Sequence, residues 1–235
     1  MVEKKVPFTK EKIMEIMKKD GITKKTGQPL VAVVPRRVFH RKSSSIMPVK
    51  YKVKLGVIDK ESQIKFERFE ETLAKAADYL KEKLDARIVF IPMQMSADQQ
   101  QQDDKISSEI IKKMKYKKNA CIVNSNKYKM DELKGIYGQM DLILGVRFHA
   151  LVFACSMGKP IVSIPYSSKG RRLTKYLEIE KYSIPAEKVE YKNLIEKIDL
   201  VLNNKKFFKG NFRKKSKMLF ERAGFNLELV LRMIK

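Results

Sequence analysis

Tryptophan is absent from this chain, and only two cysteines and two histidines occur among its 235 residues. Cys121 and Cys155 each sit inside an apolar run, so they read as buried thiols in a reducing compartment and exclude a disulfide framework. The two histidines lie in unrelated contexts, with no Asp or Glu cluster at ligand spacing, so no metal site is expected. Neither the Gly-x-Gly-x-x-Gly fingerprint nor a Walker phosphate loop is present, which removes the common signatures of dinucleotide and nucleoside triphosphate binding. Long apolar runs are missing too. The uncharged stretch Phe148 to Gly158 falls short of the roughly 20 residues that span a bilayer, and residues 1–19 lack the apolar core of a signal peptide.

Acid is scarce relative to base. Against 51 Lys+Arg stand 27 Asp+Glu, a net charge of +24, which favours polyanions or the anionic face of a membrane as partners. The lysines are scattered, and no basic segment is interleaved with aromatics, which argues against nucleic acid. The expected setting is the cytoplasm, with peripheral contact at the inner membrane face.

What is present is an alternation of apolar runs and amphipathic stripes. Thr9 can cap a short helix bearing Ile13, Ile16 and Met17, which Gly21 and Gly27 end. Strands are predicted at Leu30 to Val34, Arg87 to Ile91, Ala120 to Val123, Leu142 to Val146 and Pro160 to Ile164. Between them, Phe66, Phe69, Leu73, Ala77, Leu80 and Leu84 recur at helical spacing, as do Ile106, Ile110, Ile111 and Met114, and Met130, Leu133, Tyr137 and Met140. The segment from His40 to Glu61 reads as a polar loop with one hairpin strand at Val53 to Ile58, and His40 as a surface residue. Helices are predicted at His149 to Met157, from near Arg171, at Lys192 to Leu202 and from about Asn211 to Ile234. Continuous apolar strands alternating with such helices predict a doubly wound α/β domain, its sheet mostly parallel and covered on both faces. Its expected limits are residues 30–204, after a lead-in segment at 1–29. The helix at 205–235 would pack on the domain or on a partner domain.

One segment concentrates chemistry. In Asp141-Leu-Ile-Leu-Gly-Val-Arg-Phe-His-Ala150, an apolar strand runs into Arg147 and His149 at the start of a helix. Open α/β sheets bind ligands at the carboxyl ends of their strands, so a cation and a titratable ring there point to an anion. A plainer reading pairs Arg147 with a nearby carboxylate such as Asp141. Ser167, Ser168 and Lys169, between a strand and a helix, can contact phosphate or simply cap that helix.

Arg147-Phe-His-Ala150 after Gly145-Val146 resembles the Gly-x-Arg-(Leu or Phe)-His-Ala segment of the polysaccharide pyruvyl transferase family. Val31-Ala-Val-Val-Pro-Arg36, Val89-Phe-Ile-Pro-Met-Gln94 with Asp103-Asp104, and Ile161-Val-Ser-Ile-Pro-Tyr-Ser-Ser-Lys169 resemble three further segments in the same order. The resemblance covers roughly residues 30–180 and implies one Rossmann-like half of a GT-B fold, the half that follows the first domain. Nothing before Leu30 is long enough to be that first domain, so the opposite wall of the cleft is expected from elsewhere, a missing domain or a second subunit.

The resemblance also implies an activity, transfer of a pyruvyl group from phosphoenolpyruvate to a cell-surface saccharide, lipid-linked or free, to form a pyruvate ketal. No cofactor or metal is implied. Arg36 and Arg147 are the expected clamp for the donor's carboxylate and phosphate, since guanidinium forks bind oxyanions in bidentate fashion. His149 is the expected acid or base. Arg37 rivals Arg36, because adjacent strand residues face opposite ways. Tyr166 reads as a cleft wall or a strand end, and Gln94, Asp103 and Asp104 as loop and helix-cap residues. Two alternatives carry different chemistry: a nucleotide-sugar glycosyltransferase or epimerase domain, and a non-catalytic remnant or partner subunit that binds a polyanion.

Overall fold

In a computed structural model the protein is described at residues 9–19, 21–23, 25–39, 60–93 and 103–233, with side chains described as far as 221. His40, Gln94, the Gln99 to Gln102 tract and the strand expected at Val53 to Ile58 lie outside these residues.

Five strands, β1 (Leu30–Val34), β2 (Arg87–Phe90), β3 (Ala120–Ile122), β4 (Leu142–Gly145) and β5 (Ile161–Ser163), form one sheet in the order β3-β2-β1-β4-β5. Every pairing is parallel: Val31 lies opposite Ile88 on β2 and opposite Leu142 on β4, and Leu144 lies opposite Val162 on β5. The central strands are buried at every position because helices cover both faces, which is why their sequences are unbroken apolar runs rather than alternating ones. Edge strand β3 is only half-buried.

Eight helices are described: α1 (Lys10–Lys19), α2 (Lys60–Leu84), α3 (Asp103–Lys113), α4 (Met130–Gln139), α5 (Phe148–Met157), α6 (Ser168–Tyr176), α7 (Tyr191–Asn203) and α8 (Lys205–Met233). One layer packs α2 against α3 and α7; the other packs α4 against α1 and α5, and α5 against α8. The stripe predicted for α2 is the face it buries, with Phe66, Phe69, Leu73, Ala77 and Leu80 in the core. Helix α5 ends where Gly158 takes a left-handed conformation, φ 63°, and Pro160 follows.

Three features depart from the sequence reading. Helix α1, capped through the Lys12 N–H to Thr9 Oγ1 bond (3.3 Å), packs Ile13 and Met17 into the core against α4, so this helix is part of the fold. Helix α8 starts at Lys205, within the expected limits 205–235 but before the periodicity that begins near Asn211, because Phe208 and Phe212 bury against the domain although lysines and Gly210 surround them. After α6 the chain runs beside β5 in short turns, with Ile184 N–H donating to the Ser163 carbonyl (3.0 Å) and Ala186 N–H to that of Pro165 (3.1 Å). Among the described residues no helix is long and apolar enough to cross a membrane.

Candidate anion-binding active site

The strand order creates a topological switch point between β1 and β4, since the chain leaves β1 toward β2 and leaves β4 toward β5. Crevices that bind ligands open at such points, beyond the carboxyl ends of the strands. Arg36 stands just past β1 and Arg147 just past β4, so the two expected clamp residues flank this crevice.

Arg147 is the N-cap residue of α5 and is 7% exposed. Its Nε donates to Asp103 Oδ2 at 2.8 Å and its Nη2 to Asp103 Oδ1 at 2.5 Å, a bidentate pair. Asp103, at the start of α3, is fully buried and also accepts the Met93 N–H at 3.0 Å. The partner is therefore Asp103 and not Asp141. Asp141 lies before β4 and Arg147 after it, about 20 Å apart along an extended strand at roughly 3.3 Å per residue. Asp141 instead accepts the Leu30 N–H at 2.9 Å and joins β4 to β1.

Arg36 and Arg37 diverge. The Arg36 guanidinium carbon sits 4.6 Å from the centre of the Tyr166 ring, beyond β5. Burial pushes its pKa below the ordinary arginine value, the Arg147 charge adds to that, and Tyr166 and Asp103 oppose it. Arg37 turns toward α2, donating to Gln63 Oε1 (2.6 Å) and lying 4.7 Å over the Phe66 ring. A cavity of about 280 Å³ opens here, bordered by both arginines, Phe39, Tyr166 and Glu187.

His149 is exposed in the first turn of α5. Partial burial lowers its pKa from the ordinary histidine value, and the charges of Lys169 and Arg147 lower it further. Both effects favour the neutral ring. Lys169 is exposed in the first turn of α6, with its ammonium 4.3 Å over the Phe148 ring. Ser167 caps α6, its Oγ accepting the Gly170 N–H at 3.3 Å, while Ser168 is exposed. Neither α5 nor α6 has an acidic residue in its first turn, a lack they share with α7 and α8, and His149 and Lys169 stand there instead. Cations at helix N-termini oppose the helix dipole, so this concentration of positive charge suits a bound anion. The recess between the two N-termini holds only about 10 Å³, enough for a water at most, so a ligand would sit at its mouth.

The crevice thus gathers Arg36, Arg147, His149 and Lys169, with Ser167 and Ser168 at its side. Sequence reading missed the roles of two neighbours. Asp103 stood as a helix cap, and Tyr166 as one of two plain options; their places in the resembling segments were the only signal. Cys155 is buried, which pushes its thiol up to about 12, and no His, Cys, Asp and Glu group among the described residues could hold a metal.

An all-parallel, doubly wound sheet with cations gathered at its switch point defines a Rossmann-like α/β domain whose crevice suits an anionic ligand. Its sequence places it further: residues 33–168 match the family model of the polysaccharide pyruvyl transferases, and the chain belongs to that family. No curated protein matches the chain. Among solved structures it is similar to the glycosyltransferase SnogD from Streptomyces nogalater, with 12% identity and a TM-score of 0.40. That similarity covers 88% of this chain and 44% of SnogD, so the chain spans less than half the length of that protein.

Proposed function

We propose that the chain forms the donor-binding half of a polysaccharide pyruvyl transferase, which moves the pyruvyl group of phosphoenolpyruvate onto two hydroxyls of a saccharide. The observation that carries the reading is the convergence of Arg36 and Arg147 at the switch point of a chain from this family. The donor bears a carboxylate and a phosphate, and two guanidinium forks match two oxyanions. Lys169 and the first turns of α5 and α6 add positive potential at the phosphate.

The reaction has a definite proton balance. A proton adds to the donor's methylene carbon, and positive charge develops at the carbon bearing the phosphate oxygen. The first saccharide hydroxyl attacks that carbon, the carbon–oxygen bond to phosphate breaks, and the second hydroxyl closes the ketal. Of the two hydroxyl protons, one replaces the proton given to the methylene carbon and the other leaves on phosphate. His149 is the group that moves these protons. Its neutral form is favoured before binding, and it becomes easier to protonate once the donor's negative charge lies beside it. A facing domain or second subunit would supply the acceptor wall, and the acceptor saccharide can be lipid-linked at a membrane surface, where the chain's charge of +24 is attractive.

Ligand-induced thermal stabilisation tests the reading, because a ligand that binds only the folded state raises its melting temperature. Phosphoenolpyruvate is expected to stabilise the chain and to lose that effect in Arg36→Ala. Stabilisation by nucleotide sugars alone would overturn the reading in favour of a glycosyltransferase.

A further inference from the structure

We infer that Asp103 is a positioning residue that holds the Arg147 fork in the plane needed to bind the donor's oxyanion. The inference rests on the donor-site reading and adds a residue that acts through Arg147 rather than on the donor. Asp103 has 0% exposure, and both of its carboxylate oxygens are engaged, Oδ1 by Nη2 and Oδ2 by Nε and the Met93 N–H. Met93 is itself fixed, since the buried Tyr137 hydroxyl donates to its Sδ at 3.4 Å. Tyr137 in turn packs edge-to-face on Phe153 of α5, the helix that Arg147 caps. The chain beyond β2, α3, α4 and α5 are thus joined around one ion pair. A guanidinium carries five N–H donors in a rigid plane. Fixing its Nε–Nη2 edge against a buried carboxylate fixes the direction of the others as well.

A second consequence follows for Arg36. Its charge and that of Arg147 repel across the crevice, and the Asp103 carboxylate opposes that repulsion. One carboxylate thereby lets two guanidiniums share a site built for a donor with two anionic groups. Arrangements of this kind hold a binding group by a supporting residue rather than leaving its rotamer to solvent.

The sign of the effect separates positioning from simple electrostatics. Removing a negative charge beside an anion site should tighten anion binding if charge were all that mattered. Positioning predicts the reverse. Asp103→Asn, checked for native secondary structure by circular dichroism, is expected to raise the Kd for both phosphoenolpyruvate and inorganic phosphate by on the order of tenfold or more, since small misplacements of a binding group carry losses of that size. An unchanged or lower Kd, whatever the melting temperature does, overturns the inference. Because a buried pair broken on one side can unfold the chain, a wild-type measurement stands beside the variant. In arginine-labelled protein the Arg147 Nε–H should remain protected from solvent exchange at saturating phosphate. Loss of that protection on phosphate binding would make Asp103 a counter-ion that the ligand displaces, which also overturns the inference. Wild-type chain that binds neither ligand removes the donor site and this role together; wild type and Asp103→Asn binding alike remove only the role.

Discussion

Arg36 lies over the Tyr166 ring across the end of β4, the guanidinium carbon 4.6 Å from the ring centre, although they follow the non-adjacent strands β1 and β5. Tyr166 holds the guanidinium beside the crevice by its ring and by a side-chain hydrogen bond, against the repulsion of Arg147. A cation–π contact contributes about 0.5–2 kcal/mol, depending on how far it is desolvated. Tyr166→Ala should therefore weaken binding of phosphoenolpyruvate by roughly 2- to 30-fold, while Tyr166→Phe, which keeps the ring face and loses only the hydroxyl's hydrogen bond, should lose less. Calorimetric titration of the three proteins checks this; equal losses in Ala and Phe would mean that the ring face does not matter.

Arg36 and Arg37 are neighbours in sequence with opposite expected phenotypes. Arg37 is committed to Gln63 and the Phe66 ring on α2, so Arg37→Gln should leave donor affinity within about twofold and lower stability by about 0.5–1.5 kcal/mol, the usual worth of one hydrogen bond. Arg36→Gln should do the converse, abolishing measurable binding with little change in the urea midpoint. A binding loss in Arg37→Gln comparable to that in Arg36→Gln would reverse the assignment.

His149 makes the site sensitive to pH in a direction that can be worked out. Burial, Lys169 and Arg147 lower its pKa in the folded chain below the unfolded value of about 6.5. Its contribution to stability is thus present above that value and is lost as the pH falls through the lower, folded one. A bound dianion acts oppositely and raises the pKa, so anion affinity should increase as the pH falls through the window between the free and bound values. Sulfate is the suitable probe because its own charge is constant there. Nuclear magnetic resonance titration of the His149 ring should show its pKa moving up with saturating sulfate; a ring that titrates identically with and without it lies outside the site.

The strands were legible because their burial on both faces leaves apolar runs, and Leu30–Val34 was placed to the residue. So was the placement of Arg36 and Arg147 just past two strand ends, since a parallel sheet puts all its carboxyl ends on one edge. The partner of Arg147 was not. Periodicity says which face a residue buries but carries no information on which distant residue it meets there, and Asp103 lies 44 positions away. Nearness in sequence favoured Asp141, but a strand sends residues a few positions apart to opposite edges of the sheet. The buried face of α8's first turns was hidden for a related reason. Phe208 and Phe212 are one turn apart, yet lysines surround them, and only the packing of α5 on α8 shows them as core.

Two glycines should answer the same substitution with opposite signs. At Gly145, where β4 turns toward α5, an added Cβ would lie 2.8 Å from Ile161 Cδ1 and 3.2 Å from Ala150 Cβ. Ile161 Cδ1 is the end of a side chain and can turn aside only within a filled core, and Ala150 Cβ is fixed on α5, so part of the strain reaches the strand end that carries Arg147. Gly145→Ala should cost about 1–3 kcal/mol, the usual range for overpacking a filled core. It should also weaken anion binding, because the strain falls on the residues leading to the site. Gly210 lies exposed within α8 with nothing within 4 Å of an added Cβ. There the change removes backbone freedom from the unfolded chain and improves helix propensity, so Gly210→Ala should stabilise by about 0.5–1 kcal/mol and leave binding alone. Thermal melts of both variants, with and without phosphate, check the pair. A stabilised Gly145→Ala would mean that β4 and α5 do not approach as closely as described, and a destabilised Gly210→Ala that α8 is not helical at that turn.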